Sequence, residues 1–474
     1  MANKLNQIVK VNTVNATSSV LTSSVNTVAI VIVGAAKSAK SYSDIDSVVS
    51  DFAKSSAAYK MAQTFFSQKT HPDSLVIITA ASASAADIID AVESASSFDF
   101  FHIVLEYTLV GANASDKATA GVAFVKALNT KANEVFKMFH VEIDSTDNLE
   151  AVALMYTMEG GLTESGTDRV SVWVHDMVGT AIKRVAEITP VIASAATGGK
   201  VTVTLGSTDF EATTTSSSSV GSVISDLVTA INASDSAAFA AAAANGKLVL
   251  TAKVGGVAAN SVTVSVASTD SGISVSKTSD ANGEVSPEHL GVAIVSQRCG
   301  VDPARGTWAH KKGLVGITPD SVTSSGVAAA KNAGYNIYTT IAGEARTFMG
   351  TTCGPTAFID TVIKCDWIKF NTEAEIYRML GDANEGYGLT YDDTGIQAIG
   401  AVISKVLNTA ADSMHQYIMD GYTVNVPTYA SIAQAKKDKR NVPNIKGTYS
   451  VMNSVHTVLD VTLNIVYPET EEAA

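Results

Sequence analysis

Val28-Ala29-Ile30-Val31-Ile32-Val33-Gly34 is an unbroken apolar run closed by glycine. A strand with one wet face alternates polar and apolar residues. A run without alternation suits a strand covered on both faces, as in parallel sheets flanked by helices. Outward from it the periods alternate. Residues 44–66 read as helical, with Ile45, Val48, Val49 and Phe52, then Tyr59, Met61, Ala62 and Phe65, on recurrent faces. Strands follow at 75–79, 100–106, 135–141 and 170–174, separated by helical patterns at 86–92, 117–128 and 149–158. Strands alternating with helices predict an α/β layer with a mainly parallel sheet.

Near Ile188 the composition changes. Residues 194–286 are dominated by Ser, Thr, Ala, Gly and Val, with Phe210 and Phe239 the only aromatics. Period-two strands are expected at 200–205, 247–254 and 261–266, and an amphipathic helix at 220–231. The fragment 254–261 reads as a turn between strands, because it lacks the Lys-Ser/Thr that ends a phosphate-binding loop. This stretch reads as a β-rich surface domain inserted into the chain. Beyond Pro287, helices are expected at 326–332, 358–369 and 394–419, and strands at 336–341 and 346–349. In the 394–419 helix an apolar stripe runs from Ile396 through Val406, Met414 and Tyr417 to Ile418. Asp392, Asp393 and Thr394 offer capping oxygens at its start, and Gly421 an end.

The two ends differ from the rest. In the N-terminal stretch Val9 and Val11 alternate with Lys10 and Asn12, and Ile8 and Val14 extend the apolar set. In 449–467, Val455, Thr457, Leu459, Val461, Leu463 and Ile465 share one strand face, ahead of an acidic tail, 468–474. Both read as extended arms. An arm with unpaired N–H and C=O groups adds readily to the edge of another molecule's sheet. Each buried Val, Leu or Ile contributes roughly 1.5–3 kcal/mol. Ordering the backbone costs roughly 1–2 kcal/mol per residue. A single docked arm is therefore only modestly stable, and many together are strong. The expected division is an arm (1–26), an α/β domain (27–187), the inserted β-rich domain (188–286), a second α/β domain (287–447) and a strand arm with acidic tail (448–474). Segments 12–24 and 429–447 are the expected hinges.

Composition narrows the function. With 33 Lys and Arg against 46 Asp and Glu, the net charge is −13. Phosphate backbones demand clustered cations, so direct nucleic-acid binding is not expected. The dense basic cluster, Lys436-Lys437-Asp438-Lys439-Arg440, reads as a solvated loop or as a docking patch for an acidic partner. Three cysteines without zinc spacing read as reduced thiols. Residues 1–10 lack a signal-peptide pattern, and no apolar stretch is long enough to span a bilayer, so a soluble cytoplasmic product without membrane insertion is expected.

The chemical inventory is thin. His71-Pro72-Asp73 reads as a structural loop. Asp302, Arg305 and His310 gather hydrolase-type groups without a GxSxG elbow or an HExxH helix, and read as a turn with a local ion pair. Cys353 sits beside a Gly-Pro turn, but nothing places a histidine next to it. Glu373, Glu375 and Asp382 do not match an EF-hand and read as a solvated helix face. No catalytic, cofactor or metal site is expected.

The stretch from Asp302 onward carries a resemblance. Asp302-Pro303-Ala304-Arg305-Gly306-Thr307-Trp308-Ala309-His310-Lys311, Gly316-Ile317-Thr318-Pro319-Asp320, Gly334-Tyr335-Asn336-Ile337-Tyr338-Thr339-Thr340-Ile341-Ala342-Gly343, Thr347-Phe348-Met349-Gly350-Thr351-Thr352-Cys353-Gly354 and Asp366-Trp367-Ile368-Lys369-Phe370-Asn371 with Glu375-Ile376-Tyr377 resemble the tail sheath family of contractile (myovirus-type) bacteriophages. Phe65-Phe66-Ser67-Gln68-Lys69 with His71-Pro72 is similar too, and the insert is the weakest match. The resemblance implies α/β sheath domains carrying a decorating insert, in subunits that stack as six-fold rings helically around a tail tube. It implies partners in the tube, the baseplate and the tail terminator, and a place in the virion tail after synthesis in the host bacterial cytoplasm. The sleeve contracts to drive the tube through the host envelope, with its energy stored at assembly and no nucleotide hydrolysed. Three other readings compete: a tube subunit, which the α/β half counts against; a cytoplasmic α/β enzyme with a β insertion; and a surface adhesin, which the missing signal peptide disfavours.

Overall fold

The computed structural model describes residues 24–34, 37–164, 168–177, 181–354 and 358–456. The chain divides into two compact units, Met177–Glu288 and the sequence on either side of it.

The larger unit is built on six strands, β1 (Val28–Val33), β2 (Lys40–Tyr42), β3 (Leu75–Ala80), β4 (His102–Glu106), β5 (Met138–Asp144) and β6 (Val170–His175), in the order β2-β3-β1-β4-β5-β6. All neighbours are parallel except β2 against β3. Between them run helices α1 (Ile45–Val49), α2 (Ala57–Ser67), α3 (Ala85–Ser94), α4 (Ala114–Val135) and α5 (Leu149–Thr157). The apolar run at β1 is central and buried on both faces. Val28, Ile30 and Ile32 enter one core, and Ala29 and Val31 the other. Where one helix was expected over 44–66 there are two. Asp44 caps the first, and Ser56 the second, after a break at 50–56.

The inserted unit is antiparallel. Its elements are β7 (Ala181–Ile182), β8 (Val185–Ile192), β9 (Gly199–Leu205), β10 (Thr208–Thr214), α6 (Val220–Asn232), β11 (Phe239–Ala244), β12 (Lys247–Ala252), β13 (Val264–Ser268), β14 (Ile273–Ala281) and β15 (Glu284–Val285). They form sheets β10-β9-β13, β11-β12-β8-β14 and β15-β7. Val223, Ile224, Leu227 and Ile231 of α6 join the strands' inward residues in one core. Buried Asp270 accepts from the amides of Thr197, Gly198 and Gly272 and from the Thr214 hydroxyl.

After the insertion come α7 (Leu290–Cys299), α8 (Ser324–Ala333), β16 (Ile337–Ile341), β17 (Glu344–Phe348), α9 (Ile359–Glu385), α10 (Asp393–Ala411), β18 (Thr423–Asn425), α11 (Gln434–Lys437) and β19 (Lys446–Thr448). A small cluster around Ile376 and Ile399 is their own, and most of their other buried apolar residues join the cores of the first stretch. Leu290, Val292, Ile294, Ile363 and Phe370 share a core with Ile30, Phe65 and Met138. Described residues on both sides of the insertion therefore lie in one compact unit. An apolar helix such as α7, buried along most of its length, needs a sheet face to cover it. The free edge of β6 is also closed from this side: Asn336 exchanges bonds with Val172 and Val174, and the Cys353 amide donates to Val170.

One expectation from periodicity is corrected. Helix α10 ends at Ala411, not at Met419. Asp412 Oδ1 accepts from the amides of Met414 and His415, an alternative to helical bonding, and Gln416 turns back at φ 52°. Tyr417 and Ile418 reach the core on the returning chain, whereas Met414 is exposed. In the segment 429–447, Val442 and Ile445 pack on Ile376 and Ile399.

Candidate assembly site

The site is where the two terminal segments leave the larger unit. The predicted arm residues Ile8, Val9, Val11 and Val14 lie outside the described residues, as do Thr457, Leu459, Val461, Leu463 and Ile465. Val455 is described. It is 78% exposed and belongs to no strand. The described residues beside each terminal segment are held by the following bonds, and the two places are called the N-terminal and C-terminal roots.

At the N-terminal root Val25 is buried and its carbonyl accepts from His102 Nε2 at 3.0 Å. His102 Nδ1 lies 2.9 Å from His140 Nε2, and His140 Nδ1 lies 2.7 Å from Ser171 Oγ. Trp173 Nε1 donates to the same hydroxyl at 3.1 Å. Strand register makes this row: Ser171 pairs with His140, and Trp173 follows Ser171 on the same face. The end groups fix every proton. Val25 O only accepts, so His102 carries its hydrogen on Nε2 and accepts at Nδ1. His140 then carries its hydrogen on Nε2, the Ser171 hydroxyl donates to Nδ1, and the indole N–H fills the serine lone pair. Burial keeps both imidazoles neutral, with His102 lowered to about 3 and His140 well below the ordinary histidine range.

At the C-terminal root β19 pairs with β18, and the chain continues along its own body. Met419 N donates to Ser450 O, and Met452 N to Tyr417 O. Lys364, on α9, is 1% exposed. Its Nζ bonds Asp360 Oδ2 at 2.6 Å and Met452 O at 2.7 Å. His456 is held as well. Thr307 Oγ1 receives the Ala309 amide and shares a hydrogen bond of 2.6 Å with His456 Nε2, and His310 Nε2 donates to His456 O at 3.0 Å.

The segment Asp302–His310 touches both roots. Asp302 Oδ1 accepts from the amides of Ala304 and Arg305, and Oδ2 from the Tyr417 hydroxyl. The expected turn is present. The ion pair is not: the Arg305 guanidinium points to Ser413 O and Gln416 Oε1. Trp308 is fully buried and lies parallel to His140, with its N–H on Pro303 O. A Cβ at Gly350, where φ is 69°, would stand 2.7 Å from Ala309 N, so glycine is required for this approach.

The other chemical candidates have structural surroundings. His71 Nδ1 meets Pro72 O, and its ring packs on Phe65 and Phe66. Cys353 is buried against the Tyr156 hydroxyl at 3.4 Å, and burial pushes its thiol up to about 12. Glu373 does not sit on a solvated face: it is fully buried and paired with Lys369 one turn away. Glu375, more exposed, pairs with Arg378 and Lys405. Arg169 holds Asp366 through two bonds of 2.5 and 2.6 Å. Among the described residues no cluster of three His, Cys, Asp or Glu could hold a metal, and no helix is long and apolar enough to cross a membrane.

No family model matches the chain, and no curated protein sequence matches it. Solved structures do. The chain is similar to one from the six-fold symmetrised baseplate of the anti-feeding prophage, with 10% identity and a TM-score of 0.49 over 97% of this chain and 98% of that one. A chain of the same particle's helical sheath in the contracted state matches at 9% identity and TM-score 0.46, over 97% of each chain. A chain of the contracted baseplate matches at 9% identity and TM-score 0.48, over 97% of this chain and 98% of that one.

Proposed function

We propose that the chain is the subunit of a contractile tail sheath, polymerising around a tail tube through its two arms and driving that tube through a host envelope on contraction. The role is mechanical and not catalytic. The observation that carries the reading is the small sheet at the C-terminal root. β18 and β19 are three residues each and largely exposed, and their outer edges meet no backbone partner among the described residues. A two-stranded sheet of that size is marginal in water, and added strands complete it. The strand-patterned arms of neighbouring copies supply them. A head-to-tail contact of this type that does not close on itself makes a helical tube. Contraction then moves rigid bodies about the arm roots while the exchanged strands stay paired. The sequence motifs of the sheath family support the same reading, and they extend its partners to the tube, baseplate and tail terminator of a phage-like particle.

Electron microscopy of the purified full chain at rising concentration tests it. Long hollow cylinders are expected. A chain ending at Ser454 should stay folded and remain monomeric. Dispersed particles from the full chain, or cylinders from the truncated one, overturn the reading.

A further inference from the structure

The basic cluster of this acidic chain has a defined mount. Lys436 and Lys437 end α11, and Lys439 and Arg440 follow it. Backbone bonds close the turn: Arg440 N donates to Lys437 O at 2.9 Å and Asn441 N to Lys436 O at 3.0 Å. The Tyr391 hydroxyl holds Asn441 O at 2.7 Å, and Lys437 lies 4.1 Å from the Tyr429 ring centre. Lys436, Lys439 and Arg440 are exposed and have no carboxylate partner among the described residues. Asp438 between them is engaged by Gln434 at 2.8 Å. Like charges fixed together repel, and a stapled turn prevents them from spreading. An anionic partner relieves that repulsion.

The sequence contains a matching segment. Residues 468–474 carry Glu469, Glu471 and Glu472 and no cation. The chain from His456 to Glu469 reaches at most about 45 Å. That is far enough to leave its own body, and an arm engaged in a neighbour's sheet delivers the tail there. We propose that the turn at 436–440 is the docking surface for the acidic tail, 468–474, of a neighbouring copy. The proposal rests on the reading that copies polymerise through their arms.

Two full-length variants test it. One carries Lys436→Glu, Lys437→Glu, Lys439→Glu and Arg440→Glu, and the other Glu469→Lys, Glu471→Lys and Glu472→Lys. Each alone sets like charge against like and should raise the critical concentration for cylinders about tenfold, some 1.4 kcal/mol. An equimolar mixture is complementary wherever the two alternate and should assemble near the wild-type concentration. Variants that assemble like wild type overturn the proposal. So does a mixture without rescue when one chain carrying both sets is restored, since the tail then sits on its own patch. If the wild type makes no cylinders, the polymer reading fails separately. A labelled peptide of residues 461–474, titrated onto the tail-reversed full chain, then decides the patch: salt-sensitive binding lost on reversing 436–440 supports it, and no binding overturns it.

Discussion

Trp308 lies parallel to His140, with ring centroids 5.4 Å apart and planes at 10°, while the preceding residue, Thr307, bonds the His456 ring. One dipeptide thus touches His102, which holds Val25, and His456 near the other end of the described chain. Trp308→Leu removes a fully buried indole and leaves a cavity, at about 2–4 kcal/mol, read by urea unfolding. Local exchange is the sharper measure. The Phe101 and His102 amides, both on Thr27 O, and the Met452 amide, on Tyr417 O, should all lose protection. Loss at one root with the other unchanged would show that the roots are independent.

Ser171→Ala tests the direction of the buried row. It deletes the donor to His140 Nδ1 and the acceptor of the Trp173 N–H, leaving both unsatisfied in the core. The expected loss is about 1–3 kcal/mol. Nitrogen shifts of labelled histidines should place the hydrogen on Nε2 of both rings in the parent protein. A hydrogen on Nδ1 of His102 would contradict the assignment.

The same row sets an acid dependence. His102 and His140 are neutral when folded, with His102 at about 3, and they titrate near 6.5 when unfolded. The unfolded chain therefore binds protons first. The stability they confer is complete above about 6.5 and is lost as pH falls toward 3. The slope reaches up to about 1.4 kcal/mol per pH unit for each ring. Urea midpoints taken between about pH 7.5 and 5 should fall. A midpoint that rises would mean that the rings gain protons on folding.

Local pattern made the sheet readable. β1, β3, β4 and β6 announce themselves as apolar runs, and Asp392 caps α10 where a capping residue was expected. What escaped depends on partners distant in sequence. His102, His140 and Ser171 are unremarkable along the chain and meet only through strand register. Glu373 reads as a surface charge, because nothing local says that its i,i+4 partner Lys369 is buried with it. The five-residue reversal after Ala411 was hidden by apolar residues that keep a helical spacing while serving the core without a helix.

Cys353 separates a structural reading from an enzymatic one. Its thiol is raised to about 12 by burial, and Tyr156 is its side-chain neighbour. Iodoacetamide at mildly alkaline pH should leave it unmodified in the folded chain and alkylate it after denaturation, where a free thiol titrates near 8.5. Rapid alkylation in the native state would revive the nucleophile reading.

Lys364 tests whether the buried pair serves the arm or only the core. Lys364→Met strands Asp360 as an unpaired buried charge and should cost about 3–5 kcal/mol. Asp360→Leu with Lys364→Met removes both charges and should recover most of that loss. It leaves the Met452 carbonyl without its ammonium donor. If the pair only supports the core, the double variant should match the parent in every respect. If it roots the arm, the double variant unfolds at nearly the parental urea concentration. Its residues 449–456 should nevertheless be cleaved sooner by a nonspecific protease, and its cylinders should form at higher protein concentration. Parental cleavage and assembly in a chain lacking both charges would assign the pair to the core alone.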